Sequence, residues 1–364
     1  MTAIAFAGSG WVTAIHGLAA AGVRDLRVVH VASRSPRAAR RRASQVGAVA
    51  CTYADLPGGA EAVVVATPPA QHLVEARRAV EGGAGVLVEA PLAATLADAD
   101  ELVNLADDGG LVAYGENLVH APAVAEAVRA VRRLGTLTFL EVRLAQGQPD
   151  RRGHLRPQWG GGVLFDLGVH AVALAMLLAA PARVVEVEAR LDRPEGLEVD
   201  DDARLTLTFD SGLRAQVRAT WRAAAPAWDA QAASAEGAAR LDLVPEPAVE
   251  LNGAPIRLPD APDDLSSPQL YYLGYTPQLA ALAADVAANR APRTSAALGR
   301  TVLDVVCAAY VAAGRGRPEP LPFAGPRDRT PHQLWQDAVE EAARAAAGDG
   351  TDAEDAERDG VDHG

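Results

Sequence analysis

The sequence predicts two domains: an α/β domain on a doubly wound parallel sheet, then an α+β domain on a largely antiparallel open sheet. Three observations carry that reading. The chain has 364 residues, more than one ordinary core holds when domains run ~100–200 residues. Its first third alternates short β-branched runs with Ala- and Leu-rich stretches of helical period, the grammar of βαβ units. Beyond Pro122 that grammar gives way to long alternating strands with one buried face.

In the first domain, residues 1–120, strands are expected at Ala3–Ala7, Val28–Ala32, Ala62–Ala66, Gly85–Val88 and Leu111–Tyr114. Helices are expected at Val12–Ala21, Pro36–Val46, Ala70–Glu81 and Ala97–Asp108, each starting near Pro, Thr or Ser and mostly ending at Gly. The second domain, residues 121–330, opens with a helix through Arg133. Strands follow at Thr136–Ala145, Val184–Leu191, Asp202–Phe209 and Leu213–Trp221, the last two joined by the hairpin signal Asp210-Ser211-Gly212. A glycine-rich turn feeds an apolar helix over Gly161–Leu178, and further helices fall at Tyr275–Asn289 and Leu298–Ala313. Residues 331–364 read as a helix that gives way, from about Gly348, to a disordered acidic tail.

Composition narrows the function. With 49% hydrophobic and 22% charged residues the chain can bury a core. Its net charge of −13 disfavours nucleic acid and anionic membranes as partners. There is no lysine, so every fixed side-chain cation is an arginine. Cys51 and Cys307 stand far apart without a CxxC pair, which offers neither a disulfide framework nor a thiolate metal site and fits a reducing cytosol. Met1–Phe6 lead straight into a strand without an export pattern, and apolar runs such as Val172–Ala180 are too short to span a bilayer. The expectation is a cytoplasmic protein with a small-molecule substrate and no metal.

Gly8-Ser9-Gly10 follows a strand and opens a helix, where a tight turn lets the backbone approach a pyrophosphate lying on the helix N-terminus. The third glycine position of that fingerprint is Thr13, a departure that bears on strand–helix packing. The next strand ends in Ser33-Arg34, where an acid would hold the ribose hydroxyls of NAD. Arg34, with Ser33 and Arg37, suits a 2′-phosphate instead, so NADP is expected ahead of NAD; the plainer reading is a solvated basic helix start. Two more turns, Ala66-Thr67-Pro68-Pro69 with His72 beyond and Glu89-Ala90-Pro91, lie at carboxyl ends of parallel strands, where such sheets bind ligands. Asp166 and His170 stand four residues apart on one helix face. The carboxylate would orient a proton-moving histidine, unless Asp166 merely caps the helix and His170 packs in the core.

In order and spacing, GSGWVTAIH, VVVATPPAQH, VLVEAPLA, GENL, GGGVLFDLGVHAVALA, VDDDARLTLTFDSG and YTPQLAALAADVAANRAP resemble the glucose-fructose oxidoreductase / inositol dehydrogenase (Gfo/Idh/MocA) family, over roughly Ala3 to Phe323. The resemblance implies a Rossmann first domain whose pyrophosphate cradle is Gly8, Ser9 and Gly10 with the backbone of Trp11 and Val12. It places Thr67, Pro68 and His72 along the cofactor slot, Glu89 by the nicotinamide ribose and the catalytic pair on Asp166 and His170, and Ala90 and Asn117 are expected among the cofactor-binding residues. It also implies a homodimer or homotetramer packed through the second domain's open sheet. One departure stands out: the family's Glu-Lys-Pro is Glu89-Ala90-Pro91 here, so a lysine that contacts substrate and ribose is absent. Proton transfer then falls to His170 or to another cleft group such as Asp166, Tyr114 or Tyr275. Arg143, Arg156 and Trp159 are further substrate-side candidates, and the segments Gln146–Gln158 and Ala223–Ala235 are read as specificity loops. An NADP-dependent oxidoreductase for a small polar ketone, alcohol or imine is expected. The alternatives are a catalytically lapsed cofactor-binding sensor or scaffold, and a lyase or isomerase that recycles its cofactor.

Overall fold

Two sheets organise the chain in the computed structural model, which describes residues 1–150 and 153–358, with side chains through residue 346. Strands β1 (Thr2–Ala7), β2 (Leu26–Ala32), β3 (Val49–Cys51), β4 (Ala62–Val65), β5 (Gly85–Glu89) and β6 (Val112–Gly115) form a parallel sheet in the order β3-β2-β1-β4-β5-β6. Helices α1 (Trp11–Ala21), α2 (Pro36–Val46), α3 (His72–Glu81) and α4 (Leu96–Asp107) lie between successive strands. Every residue of β4, β5 and β6 is buried, as both-face coverage of a parallel sheet demands. The strand order reverses between β1 and β4, and that switch point is where such sheets open a ligand crevice. The short edge strand β3, three residues long, carries no readable period and was not expected.

After α5 (Pro122–Arg133) come β7 (Phe139–Gly147), α6 (Val169–Ala179), β8 (Val184–Asp192), β9 (Asp202–Phe209), β10 (Arg214–Thr220), β11 (Arg222–Ser234), β12 (Gly237–Val244), β13 (Ala248–Leu251) and β14 (Ala254–Pro255). The chain closes with α7 (Pro268–Tyr272), α8 (Tyr275–Ala288), α9 (Ala296–Arg315), β15 (Glu319–Pro320) and α10 (Pro331–Arg358). The second sheet has the order β14-β13-β12-β11-β7-β10-β9-β8-β15, antiparallel throughout except for the β7–β10 pair. Helices α5, α6 and α9 cover one face. Along β7 the alternation is clean: Leu140, Val142 and Leu144 are buried while Phe139, Glu141 and Arg143 are exposed on the uncovered face.

Several expectations change. The segment Ala223–Ala235 is not a loop but mostly β11; its alanine run has little β-propensity of its own, and pairing with β7 and β12 makes the strand. Helix α8, expected within the second domain, packs on the first, where Leu279 and Leu282 join Ile4, Phe6 and Val64 in one core cluster. Helix α10 runs to Arg358 rather than ending near Gly348, and residues 359–364 lie outside the described residues. Two helical stretches, 157–179 and 296–315, are long and apolar enough to cross a membrane by length and composition. They are 78% and 72% buried, and their apolarity is that of core helices.

Candidate functional site

The cleft of about 480 Å³ at the switch point begins where β1 leaves its sheet. Gly8 takes φ +127°, and a Cβ there would lie 2.3 Å from the Ala66 carbonyl oxygen, so only glycine lets the turn pass β4. Gly10 caps α1 with no side-chain hydrogen bond, and a Cβ on it would meet nothing within 4 Å. The first turn of α1, Trp11 and Val12, thus borders open space suited to an anion. Ser9 Oγ donates to Ser33 Oγ at 2.8 Å, tying this turn to the end of β2. Arg34 is exposed and lines the same cleft, whereas Arg37 points from the exposed start of α2 and does not. Arg42, one of the basic residues of α2, donates to the Gly10 carbonyl at 2.8 Å and braces the turn. Thr13 is fully buried with Oγ1 unpartnered.

Thr67 and Pro68 form the opposite lip. Beneath them His72 lies between two carbonyl oxygens, Nε2 2.8 Å from Thr67 and Nδ1 3.2 Å from Leu92. Burial lowers its pKa against the pull of these two carbonyls, and a neutral ring, with a single N–H, donates to one of them at a time. Glu89, at the end of β5, accepts from His16 Nε2 at 2.5 Å, and His16 is fully buried under the edge of Tyr275. Ala90 lines the cleft and brings no charged group to it.

The second domain brings His170 over this floor. Its Nδ1 donates to Glu116, 2.8 Å from Oε2 and 3.0 Å from Oε1, and Glu116 is wholly buried just past β6. Leu118 N–H donates to the same carboxylate. Burial works against the imidazolium, but the Glu116 charge and hydrogen bond, helped by Asp166 and Glu89, outweigh it and raise the His170 pKa. Nε2 makes no hydrogen bond among the described residues, and the ring lines the cleft.

The expected Asp166–His170 pair is therefore replaced by Glu116–His170. Asp166 sits in a π-helical turn, Leu164–Gly168, and its Oδ1 accepts from His154 Nδ1 at 3.0 Å instead. His154 in turn stacks on Trp159 with ring centroids 4.0 Å apart. The partner exchange follows from burial: an unpaired Glu116 would be far more costly than the partly exposed Asp166. The π turn hangs from Asp200, fully buried, whose Oδ1 accepts from Gly162 N–H and the Tyr310 hydroxyl and whose Oδ2 accepts from Leu164 N–H. Gly162 packs so tightly there that a Cβ would lie 2.1 Å from the Asp200 carbonyl oxygen.

Gly8, Ser9, Gly10, Trp11, Val12, Ser33, Arg34, Thr67, Pro68, His72, Glu89, Ala90, Asp166 and His170 thus meet in one cleft, together with Trp159 and Tyr275. Asn117 does not: its amide donates to the Leu273 carbonyl at 2.7 Å and fastens the turn after β6 to α7. Tyr114 is fully buried behind the floor, and Arg143 pairs with Asp229 on the uncovered sheet face. Arg156 is exposed and does not line the cleft. His16, Glu116, His154 and Trp228 were missed. Glu116 had one readable signal, an acid directly beyond a buried strand end, as Glu89 is.

A glycine turn at the switch point of a parallel sheet, with a histidine–carboxylate dyad closing over it from an antiparallel domain, defines a two-domain dinucleotide-binding protein. The residues fit such a cofactor: Gly10 leaves open space before α1, and Arg34 stands at the end of β2. Residues 2–116 match the oxidoreductase family, NAD-binding Rossmann fold, and residues 123–240 match the GFO/IDH/MocA C-terminal domain. The chain belongs to the GFO/IDH/MocA family. It is 34% identical over 189 residues to a dTDP-3,4-didehydro-2,6-dideoxy-α-D-glucose 3-reductase of Streptomyces violaceoruber, covering 48% of this chain and 54% of the relative. It is 26% identical to a putative UDP-kanosamine synthase oxidoreductase subunit of Amycolatopsis mediterranei, over 80% of this chain and 90% of that one. Across five relatives at or above 30% identity, the match spans only 41–58% of their length. The fold is that of GenD2 from gentamicin A biosynthesis in complex with NAD, with TM-score 0.78, 23% identity and coverage of 88% of this chain and 96% of that structure.

Proposed function

We propose that this chain is an NAD(P)-dependent oxidoreductase acting on a small polar ketone, alcohol or imine of sugar or cyclitol type, with NADP preferred and His170 as acid/base. The observation that carries this is the Glu116–His170 dyad, whose second ring nitrogen is left to the cleft shared with the Gly8–Gly10 turn. A bound nicotinamide supplies or accepts the hydride. Gly8, Ser9, Gly10 and the start of α1 hold its diphosphate, while Ser33 and Arg34 receive the 2′-phosphate. Glu116 holds the proton on Nδ1, so Nε2 gives a proton to the carbonyl oxygen in reduction and takes it back in oxidation. With Ala90 in the lysine position, His170 carries the proton ahead of Asp166 and Tyr275, the other groups of the cleft named for that role.

The names of the two curated relatives above support a sugar-type substrate. Two or four copies are proposed to associate through the uncovered sheet face, against which no helix packs among the described residues. Ala90 also favours a second reading, a lapsed enzyme that binds the cofactor as a sensor or scaffold. NADPH oxidation measured against a panel of sugar and cyclitol ketones decides between them. Turnover with at least one ketone is expected, and tight NADPH binding with no hydride transfer to any would establish the sensor.

A further inference from the structure

We infer that His154 is a substrate-binding residue, which takes the hydroxyl on the carbon beside the reacting one through Nε2, and that Asp166 is the positioning residue that aims it. This rests on the redox reading above, in which His170 moves the proton. His154 lines the cleft and is held on two sides. Its Nδ1 donates to Asp166 Oδ1 at 3.0 Å, and one face of the ring lies on Trp159, with centroids 4.0 Å apart and planes 20° from parallel. Trp159 is itself fixed: it closes the 3₁₀ turn Pro157–Trp159, and the next carbonyl, that of Gly160, accepts from the His332 N–H at 2.8 Å. The carboxylate at one edge selects the tautomer, and the indole sets the plane of the ring.

This repeats the device of Glu116–His170. In both, Nδ1 meets a carboxylate and the ring lines the cleft, with side chains 15% exposed for His154 and 18% for His170. The two rings flank Asp166, since His154 holds its Oδ1 and His170 stands four residues beyond it, a spacing that puts Cβ atoms roughly 5–6 Å apart on a helix. They thus address neighbouring atoms of one substrate ring. Their demands differ. A carbonyl oxygen only accepts, and it takes its proton from His170. With Nδ1 carrying the proton for Asp166, a neutral His154 ring has an acceptor at Nε2 and offers a carbonyl oxygen nothing. A hydroxyl both donates and accepts, so it suits Nε2 in either protonation state. His154 therefore selects an α-hydroxy ketone in reduction and a vicinal diol in oxidation.

The test measures kcat/KM for scyllo-inosose, 2-hydroxycyclohexanone and cyclohexanone by NADPH oxidation with the full chain; where cyclohexanone is not reduced, its inhibition constant against a hydroxy ketone takes the place of kcat/KM. Wild type should favour at least one hydroxy ketone over cyclohexanone by tenfold or more. His154→Ala should cost that ketone at least tenfold more than it costs cyclohexanone, chiefly in KM. His154→Gln, whose amide extends toward the place of Nε2, should restore part of the preference. Asp166→Ala should lower the same preference and add little when combined with His154→Ala, because the two act as a unit. NADPH affinity and melting temperature check that each variant folds. No preference in the wild type, turnover of neither hydroxy ketone, or an equal loss on hydroxy ketone and cyclohexanone in His154→Ala would overturn the hydroxyl site, and additive losses in the double variant would overturn the role of Asp166. Reduction of other ketones would then still uphold the redox reading, whereas failure to oxidise NADPH with any ketone would defeat that reading first.

Discussion

A carboxylate taken out of water costs several kcal/mol unless a partner meets it, and Glu116, with no exposed surface, is met by His170. The pair sets a pH dependence whose sign is fixed. Because the folded-state pKa of His170 is raised, the stabilisation is fully present below the unfolded value near ~6.5 and fades as pH rises through the folded value. Carbonyl reduction, which needs the protonated ring, should fall across the same upper window. In Glu116→Gln the descending limb of kcat/KM against pH should move to lower pH; an unmoved limb would show that another group donates. At the other end of the cleft, Arg34→Ala should weaken NADPH binding by ~10–100-fold, the worth of a charge-assisted hydrogen bond. NADH binding should change little, and fluorescence titration of both cofactors separates the two. The places of Gly8, Arg34 and His170 in the cleft were legible, each from a single position at the end of a strand or on a helix face. Partners were not, because Glu116 reaches His170 across 54 positions of sequence and no local period joins them.

At the scale of elements, the turn that carries Asp166 and His170 is held by a scaffold outside the cleft lining. Asp200 gathers Gly162 N–H, Leu164 N–H and the Tyr310 hydroxyl, and from that anchor the π turn presents Asp166 and, one turn on, His170. Asp200→Ala would leave Leu164 N–H and the Tyr310 hydroxyl buried without an acceptor, while Gly162 N–H keeps the Tyr310 oxygen at 3.0 Å, a loss of about 3 kcal/mol or more by denaturant unfolding. The pH limb of the remaining activity should stay in place, since Glu116 still holds His170. Helices α1, α2 and α5 and strands β1, β4, β9 and β10 were read within a few residues from period and caps. The strands β11 to β13 were not: the Ala-rich β11 becomes a strand by pairing between β7 and β12, and β12 and β13 extend the sheet from it. The same blindness turned the wall that carries Trp228 into a presumed loop.

Over the whole molecule the two domains are held in register by side chains that cross between them. Asp100 on α4 accepts from both Arg300 on α9 and Arg327, and α8 returns to complete the first domain's core. That interlock brings His170 into the cleft it shares with the glycine turn. The uncovered sheet face is laced with cross-strand pairs such as Arg143–Asp229 and Arg214–Glu188, a polar surface suited to a self-complementary contact. Light scattering on the eluting protein should give two or four times 37.7 kDa, and a monomer would refute the assembly. The two-domain plan was legible from the change of grammar near Pro122, but the crossing of α8 was not, because an amphipathic helix does not say which core it covers. The most direct test of the account is kcat/KM for NADPH-dependent reduction of a turned-over ketone by wild type and His170→Gln. A loss of ~10²–10⁴-fold with NADPH affinity retained is predicted; undiminished turnover would contradict it.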